Sequence, residues 1–318
     1  MDGILLGVFG SDPTQKASFE AAVAKKSEAE GIAVFHRSDG ARKASLLDTA
    51  DFPQRIQGYS RIASISDHAL YFFPPSGSLS APDGELAVLI GAFSLGGTLE
   101  IPSGSTDSAA RSALRGTPVA DFPAEERQQG SSILDLSRVA PRPDFTSSGT
   151  LIYVDRAFSV KGVGTVALGF VLSGKVSVHD RLRPIPGPVG LTAEVRGVQV
   201  NDVDHQEAGR GIRVGLLLKG VEPKDIERSN WLDDGTFPLR ESASFGFSKS
   251  PFYRAEVDGR DLHLQLPGGL IPVKVSESGG ELKAVFPSPV PLWTGMRACV
   301  MDLNGKNLRV AGGCACKL

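Results

Sequence analysis

The sequence predicts an α/β domain followed by two all-β domains, and three observations carry that prediction. Apolar runs alternate with helix-forming stretches over the first part of the chain. A stretch rich in Pro and Ser interrupts it at 140–149. Short runs of alternating polarity, separated by turn residues, fill the remainder. At 318 residues the chain is long for one core, and the expected domains are 1–140, 150–232 and 235–318. The formal net charge of -2 excludes a molecule-wide field for nucleic acid and leaves only a local basic patch to serve one. No window approaches the roughly 18 consecutive apolar residues of a membrane span, and no basic n-region precedes an apolar core. A cytoplasmic protein with no membrane and no DNA partner is expected. Three cysteines, with Cys314 and Cys316 close together near the end, suit free thiols better than a disulfide framework or a zinc site.

Ile4-Leu5-Leu6-Gly7-Val8-Phe9 is a continuous apolar run, the mark of a strand buried on both faces. It ends in Gly10-Ser11-Asp12-Pro13-Thr14-Gln15-Lys16, and Ala/Lys/Glu composition predicts a helix from there through Ala29. Strand, loop and helix are the context of a phosphate-binding loop, and the spacing from Gly10 to Lys16 fits the lysine of GxxxxGK(S/T). Two residues depart from that chemistry. Gln15 stands where a glycine would let amides wrap a phosphate, and Ala17 stands where a hydroxyl would bind Mg²⁺, with Ser18 one position late.

Further along, strands are expected at 32–36 and 44–48, joined by Ser38-Asp39-Gly40, then a helix over 56–65 and a strand over 66–73. His68, at that strand's entrance, reads as a hydrogen-bonded structural residue. A helix over 83–95 has Asp83 and Glu85 placed to complement its dipole. A strand at 98–101, a helix at 108–114 and a helix reaching about Leu136 complete the alternation, which implies a mostly parallel sheet.

The second domain opens with Asp155-Arg156-Ala157-Phe158-Ser159-Val160-Lys161-Gly162-Val163-Gly164-Thr165-Val166 and Leu172-Ser173-Gly174-Lys175-Val176. Val195-Arg196-Gly197-Val198-Gln199, Gln206-Glu207-Ala208-Gly209, Arg213-Val214-Gly215-Leu216 and Leu218-Lys219-Gly220-Val221 follow in order. These blocks closely resemble the second domain of translational GTPases of the elongation factor Tu type, above all the selenocysteine-specific branch. The resemblance implies a P-loop GTPase-like domain followed by two β-barrels. The second of these covers the alternating strands from Ser244 to Val300 and closes near Leu308-Arg309-Val310. No winged-helix extension follows Leu318, so recruitment to an mRNA element is not expected.

Placed against that family, Asp48 and Thr49 match the switch motif D-T-P-G-H, while Asp51 and Phe52 replace its glycine and histidine. An acidic side chain at that glycine repels a phosphate. Asp107 is what remains of the guanine-reading N-K-x-D. The degenerate nucleotide set is therefore Gly10, Lys16, Ser18, Asp48 and Asp107, with no catalytic or metal-binding residue and neither GTP nor Mg²⁺ as cofactor. In the family the aminoacyl end of tRNA lies against the second domain, which assigns Asp155, Arg156, Phe158 and Arg213 as candidate aminoacyl- or RNA-binding residues. A guanidinium suits phosphate or selenolate, a carboxylate suits an ammonium and a ring suits adenine. The plain alternative makes Asp155 and Arg156 solvated charges, and Phe158 reads as core. The expected function is that of an elongation factor-like protein that has lost GTP binding and hydrolysis and binds tRNA, the ribosome or a translation factor. The alternatives are a divergent GTPase working through Lys16 with Thr14 or Ser18, and a scaffold.

Overall fold

The computed structural model describes residues 2–27, 32–38, 42–127, 135–145, 149–227 and 231–318. Strand β1 (Gly3–Phe9) is buried along its whole length, as its unbroken apolar run requires. Helix α1 (Pro13–Val23) begins with Pro, whose missing N–H costs nothing at a first turn. It stops well before Ala29, because β2 (Lys25–Ser27) turns back to pair antiparallel with β3 (Ala33–Ser38). A ladder there outweighs the helix propensity of the sequence. The linking Asp39-Gly40 lies outside the described residues. Strand β4 (Lys43–Asp48), helix α2 (Gln57–Ile65), strand β5 (His68–Phe72), helix α3 (Ala81–Ala92), strand β6 (Gly97–Pro102) and helix α4 (Asp107–Ala113) follow. His68 bonds Thr98 Oγ1 at 2.9 Å across β5 and β6, a structural role.

The helix expected toward Leu136 is replaced by a short 3-10 turn, Pro118–Asp121, and by β7 (Ala124–Arg127). β7 adds in parallel to the open edge of β6, which offers unpaired amides and carbonyls that a solvent-facing helix could not satisfy. Residues 128–134 lie outside the described set. The sheet order is β2-β3-β4-β1-β5-β6-β7, parallel from β4 onward and antiparallel at its β2-β3-β4 edge.

The second domain comprises β8 (Leu151–Val160), β9 (Gly164–Ser173), β10 (Lys175–Ser177), β11 (Arg181–Ile185), β12 (Ala193–Val200), β13 (Val203–His205), β14 (Glu207–Gly209), β15 (Arg213–Lys219), the short α5 (Pro223–Glu227) and β16 (Trp231–Asp233). Pairing of β11 with β12 closes the ring β11-β16-β8-β9-β15-β12. The third domain is a closed barrel in the order β17-β20-β19-β18-β21-β22, from β17 (Leu239–Lys249), β18 (Asp261–Gln265), β19 (Leu270–Ser278), β20 (Glu281–Pro291), β21 (Arg297–Met301) and β22 (Val310–Lys317). Closure leaves neither barrel's main ring an open edge. The cysteines, on β21 and β22, are buried free thiols.

One hydrophobic cluster runs through all three domains, from Phe9 and Tyr59 through Tyr153 and Trp231 to Phe245 and Cys314. Polar bonds stitch the same joints. Asp67, buried between β1 and the linker, accepts from Leu5 N and Arg142 N at 2.9 Å each and from the Arg210 guanidinium of the first barrel. The Arg142 guanidinium donates to the Ala63 and Ser64 carbonyls at 3.3 and 3.2 Å, where the negative end of α2 favours a cation. Ser60 and Ser64 of α2 bond Gln265 and Gly268 N of the second barrel at 2.8 and 2.9 Å. Glu85 holds Arg309 in a bidentate pair and also accepts its main-chain N–H at 2.7 Å, so it serves this joint rather than the α3 dipole. Gly3 and Gly211 meet backbone to backbone; a Cβ on Gly211 would stand 2.1 Å from the Gly3 oxygen.

Candidate functional site

The loop after β1 has every feature of its spacing and little of its chemistry. Gly10 leaves β1 so close to Phe72 that a Cβ would come within 2.9 Å of that residue's own Cβ, which explains the glycine by packing alone. Asp12 caps α1: its Oδ1 accepts from Thr14 N at 2.9 Å and Gln15 N at 3.1 Å. Ser11 N donates to Asp83 Oδ1 at 3.2 Å, and Asp83 Oδ2 also closes a capping box with Ser80. Gln15 spends its amide on the Phe73 carbonyl at 3.0 Å. Three of the backbone N–H groups that a phosphate would need are thus held by the chain's own carboxylates.

Lys16 is only 5% exposed and turns inward. Its Nζ donates to Asp48 Oδ1 at 2.7 Å and to the Tyr59 hydroxyl, which in turn donates to Asp48 Oδ1 at 2.8 Å. Phe9 stacks on Tyr59 at 5.4 Å, and Phe52, the residue in place of the switch histidine, meets it edge-on at 5.2 Å. Burial, and then the Asp48 carboxylate, push the Tyr59 phenol well above its ordinary range, so it stays a neutral donor. Asp51 is exposed, with its N–H on Thr49 Oγ1 at 3.4 Å.

Of the nucleotide set, the structure brings Gly10, Lys16 and Asp48 together. Ser18 lies exposed on α1, and Asp107 begins α4, paired with Arg111 one turn on at 2.7 Å. Sequence reasoning missed Tyr59 and Asp83. Ser80 three residues before Asp83 was a visible capping signal; that its carboxylate also reaches Ser11 was not.

On the first barrel, β8 and β9 slip register between Val154 and Arg156, which makes Asp155 the extra residue of a bulge. Its carboxylate meets the Arg213 guanidinium of β15 at 3.2 Å, and the two side chains are 4% and 10% exposed. Burial pushes the Asp155 carboxyl up, opposed by Arg213. Arg213 also lies 5.9 Å from the centre of the Phe170 ring. Arg156 is exposed and stands over Phe158 at 5.2 Å. Phe158 is half-buried and outside the barrel's cluster of buried side chains, which corrects its reading as core. The plain alternative for Asp155 is likewise corrected: it is a nearly buried ion-pair partner, not a solvated charge.

Among the described residues no cluster of His, Cys, Asp and Glu could hold a metal, and no helix is long and apolar enough to cross a membrane.

Comparison with known proteins supports the barrel most directly. Residues 164–232 match the family described as elongation factor Tu domain 2. An uncharacterized protein of Methanocaldococcus jannaschii is 25% identical over 98% of this chain and 99% of its own length. The selenocysteine-specific elongation factor of the same organism is 43% identical over 75 residues, which are 24% of this chain and 16% of that factor. The fold as a whole is similar to that of translation elongation factor SelB from Methanococcus maripaludis in complex with the GTP analogue GPPNHP, with a TM-score of 0.82 at 20% identity over 100% of this chain and 80% of that one.

Proposed function

We infer the function of this chain from its place among the translational GTPases, where it is related to the selenocysteine-specific branch. It acts as an elongation factor-like protein that no longer binds or hydrolyses GTP and that engages tRNA, the ribosome or a translation factor through its barrels. One observation carries the loss of nucleotide: Asp12 and Asp83 hold the loop amides while Asp48 and Tyr59 hold Lys16. A triphosphate would have to displace two carboxylates and then sit beside them, against like charge and without the lysine. The barrel supports the other half. It presents Arg156 over Phe158 at the surface, a cation and a ring suited to RNA, next to the Asp155–Arg213 pair.

A working GTPase is the second reading, favoured by the survival of Lys16 and Asp48 in contact at the end of β1. Calorimetric titration with GTP and Mg²⁺, beside filter binding of aminoacyl- and deacylated tRNA across a salt series, separates the two. Silence toward GTP at millimolar concentration with salt-dependent tRNA binding is expected. Micromolar, Mg²⁺-dependent GTP binding would overturn the loss of the switch, and absence of tRNA binding at low salt would direct the search to protein partners.

A further inference from the structure

The α/β domain meets its two barrels in different ways. Against the first barrel it leaves an open seam, a cleft of about 850 Å³ bordered by His36, Lys43 and Arg213. Against the second barrel it presents two helices, α2 and α3, and each of them also holds the closed loop after β1.

Helix α2 does so through neighbouring residues. Its Tyr59 hydroxyl binds Lys16 and Asp48 and lies 3.4 Å from the Gly10 carbonyl. The next residue, Ser60, donates to the wholly buried Gln265 at 2.8 Å, and one turn on Ser64 Oγ accepts from Gly268 N at 2.9 Å. Gly58 seats the same helix tightly on the end of β4, since a Cβ there would stand 2.6 Å from Thr49 Oγ1.

Helix α3 repeats the arrangement with two carboxylates. Asp83, 1% exposed, takes Ser11 N of the loop at 3.2 Å, and Glu85 takes the main-chain N–H of Arg309 at 2.7 Å together with its guanidinium. At the far end of α3 a Cβ on Gly313 would stand 2.1 Å from the Ala92 oxygen, so helix and β22 touch backbone to backbone. Arg309 also bridges the two helices. Its guanidinium donates to the Gln54 carbonyl at 3.3 Å, and it stands 5.9 Å from the centre of the Phe52 ring, which packs edge-on against Tyr59. Hydrogen bonds of this kind fail once donor and acceptor separate beyond about 3.5 Å, so a helix shift of about an ångström is enough to break them. A helix carries such a shift from one residue to the next because its own backbone bonds keep it rigid.

We propose that the filled loop is an interdomain brace: Lys16, Asp48 and Asp83, by fixing α2 and α3, hold the second barrel in one arrangement on the α/β domain without any ligand. The inference rests on the reading that the loop holds no nucleotide. It adds that the side chains closing the loop set the geometry met by a partner spanning both domains.

The test is amide hydrogen exchange of the full chain, read at three positions. Gly268 and Arg309 have their N–H groups held by α2 and α3, whereas Gly3 donates to the Arg210 carbonyl of the first barrel at 2.7 Å. Tyr59→Phe removes one hydroxyl and keeps the ring against Phe9 and Phe52. It should speed exchange at Gly268 and Arg309 about tenfold or more and leave Gly3 at the parent's rate. Lys16→Met should do the same. Unchanged exchange at Gly268 or at Arg309 in both variants, or equal acceleration at all three amides, overturns the proposal. Millimolar GTP with Mg²⁺ added to the parent tests the underlying reading separately. Slower exchange at Ser11 would overturn the loss of nucleotide binding, while the variants, measured without nucleotide, decide the brace by themselves.

Discussion

Two acidic–basic pairs occupy two places where this fold could meet a ligand, and they are built differently. Lys16–Asp48 at the end of β1 is walled in: a phenol completes the lysine's coordination, aromatic rings close over it and neighbouring amides are already taken. Arg213–Asp155 is at least as buried, but Arg213 also borders a cleft of about 850 Å³ and has further cations beside it. The first pair is enclosed by its own neighbours. The second borders open space. A buried ion pair is therefore no sign of function or of its loss; what counts is whether solvent-filled space adjoins it.

The sharpest way to break this comparison is to remove one partner from each pair. Lys16→Ala leaves Asp48 almost buried with the Tyr59 hydroxyl as its one side-chain donor among the described residues, and we expect a loss of about 2–3 kcal/mol in urea-monitored stability, somewhat below the full cost of orphaning a buried charge. Asp155→Ala should cost less, about 1–2 kcal/mol, because the guanidinium it releases can draw water from the cleft. Equal losses in the same assay would erase the distinction between a closed and an open site.

A smaller effect sharpens it further. The folded His36 is depressed to about 4 from an ordinary 6.5, so the unfolded chain takes up this proton first as pH falls. Its contribution is complete above pH 6.5 and is lost progressively as pH drops toward 4. His36→Gln, which cannot titrate, should flatten the stability–pH curve in that interval. Burial lowers His68 and His263 as well, so part of the slope will remain. An unchanged curve would mean that the seam imposes no such shift on His36.

How far the sequence led depended on how local the deciding interaction was. Strand β1, the loop after it and the order of an α/β domain before two barrels are written in runs of neighbouring residues, and so they were readable. Helix propensity misled at Lys25–Ser27 and at Ala124–Arg127, where a partner strand more than a few residues away supplied the bonds. Asp83 looked like a helix-dipole residue because its bond to Ser11 spans 72 positions, and Glu85 likewise because Arg309 is 224 away. The bulge at Asp155 depends on the register of β8 against β9, which alternation alone does not reveal. Tyr59 was unremarked because an aromatic residue within a helix reads as core, which it also is.

The bare backbone contact between Gly3 and Gly211 carries a last consequence. Each glycine lies where the other's main chain would collide with a side chain, since a Cβ on Gly3 would stand 2.7 Å from the Gly211 oxygen. Neither position can be altered by ordinary single-step mutation without prising the barrel from the sheet, and Gly211 also holds a φ of 75° that few other residues accept. Descent can therefore remodel the charges around the seam one at a time, but it must carry these two residues forward as a couple.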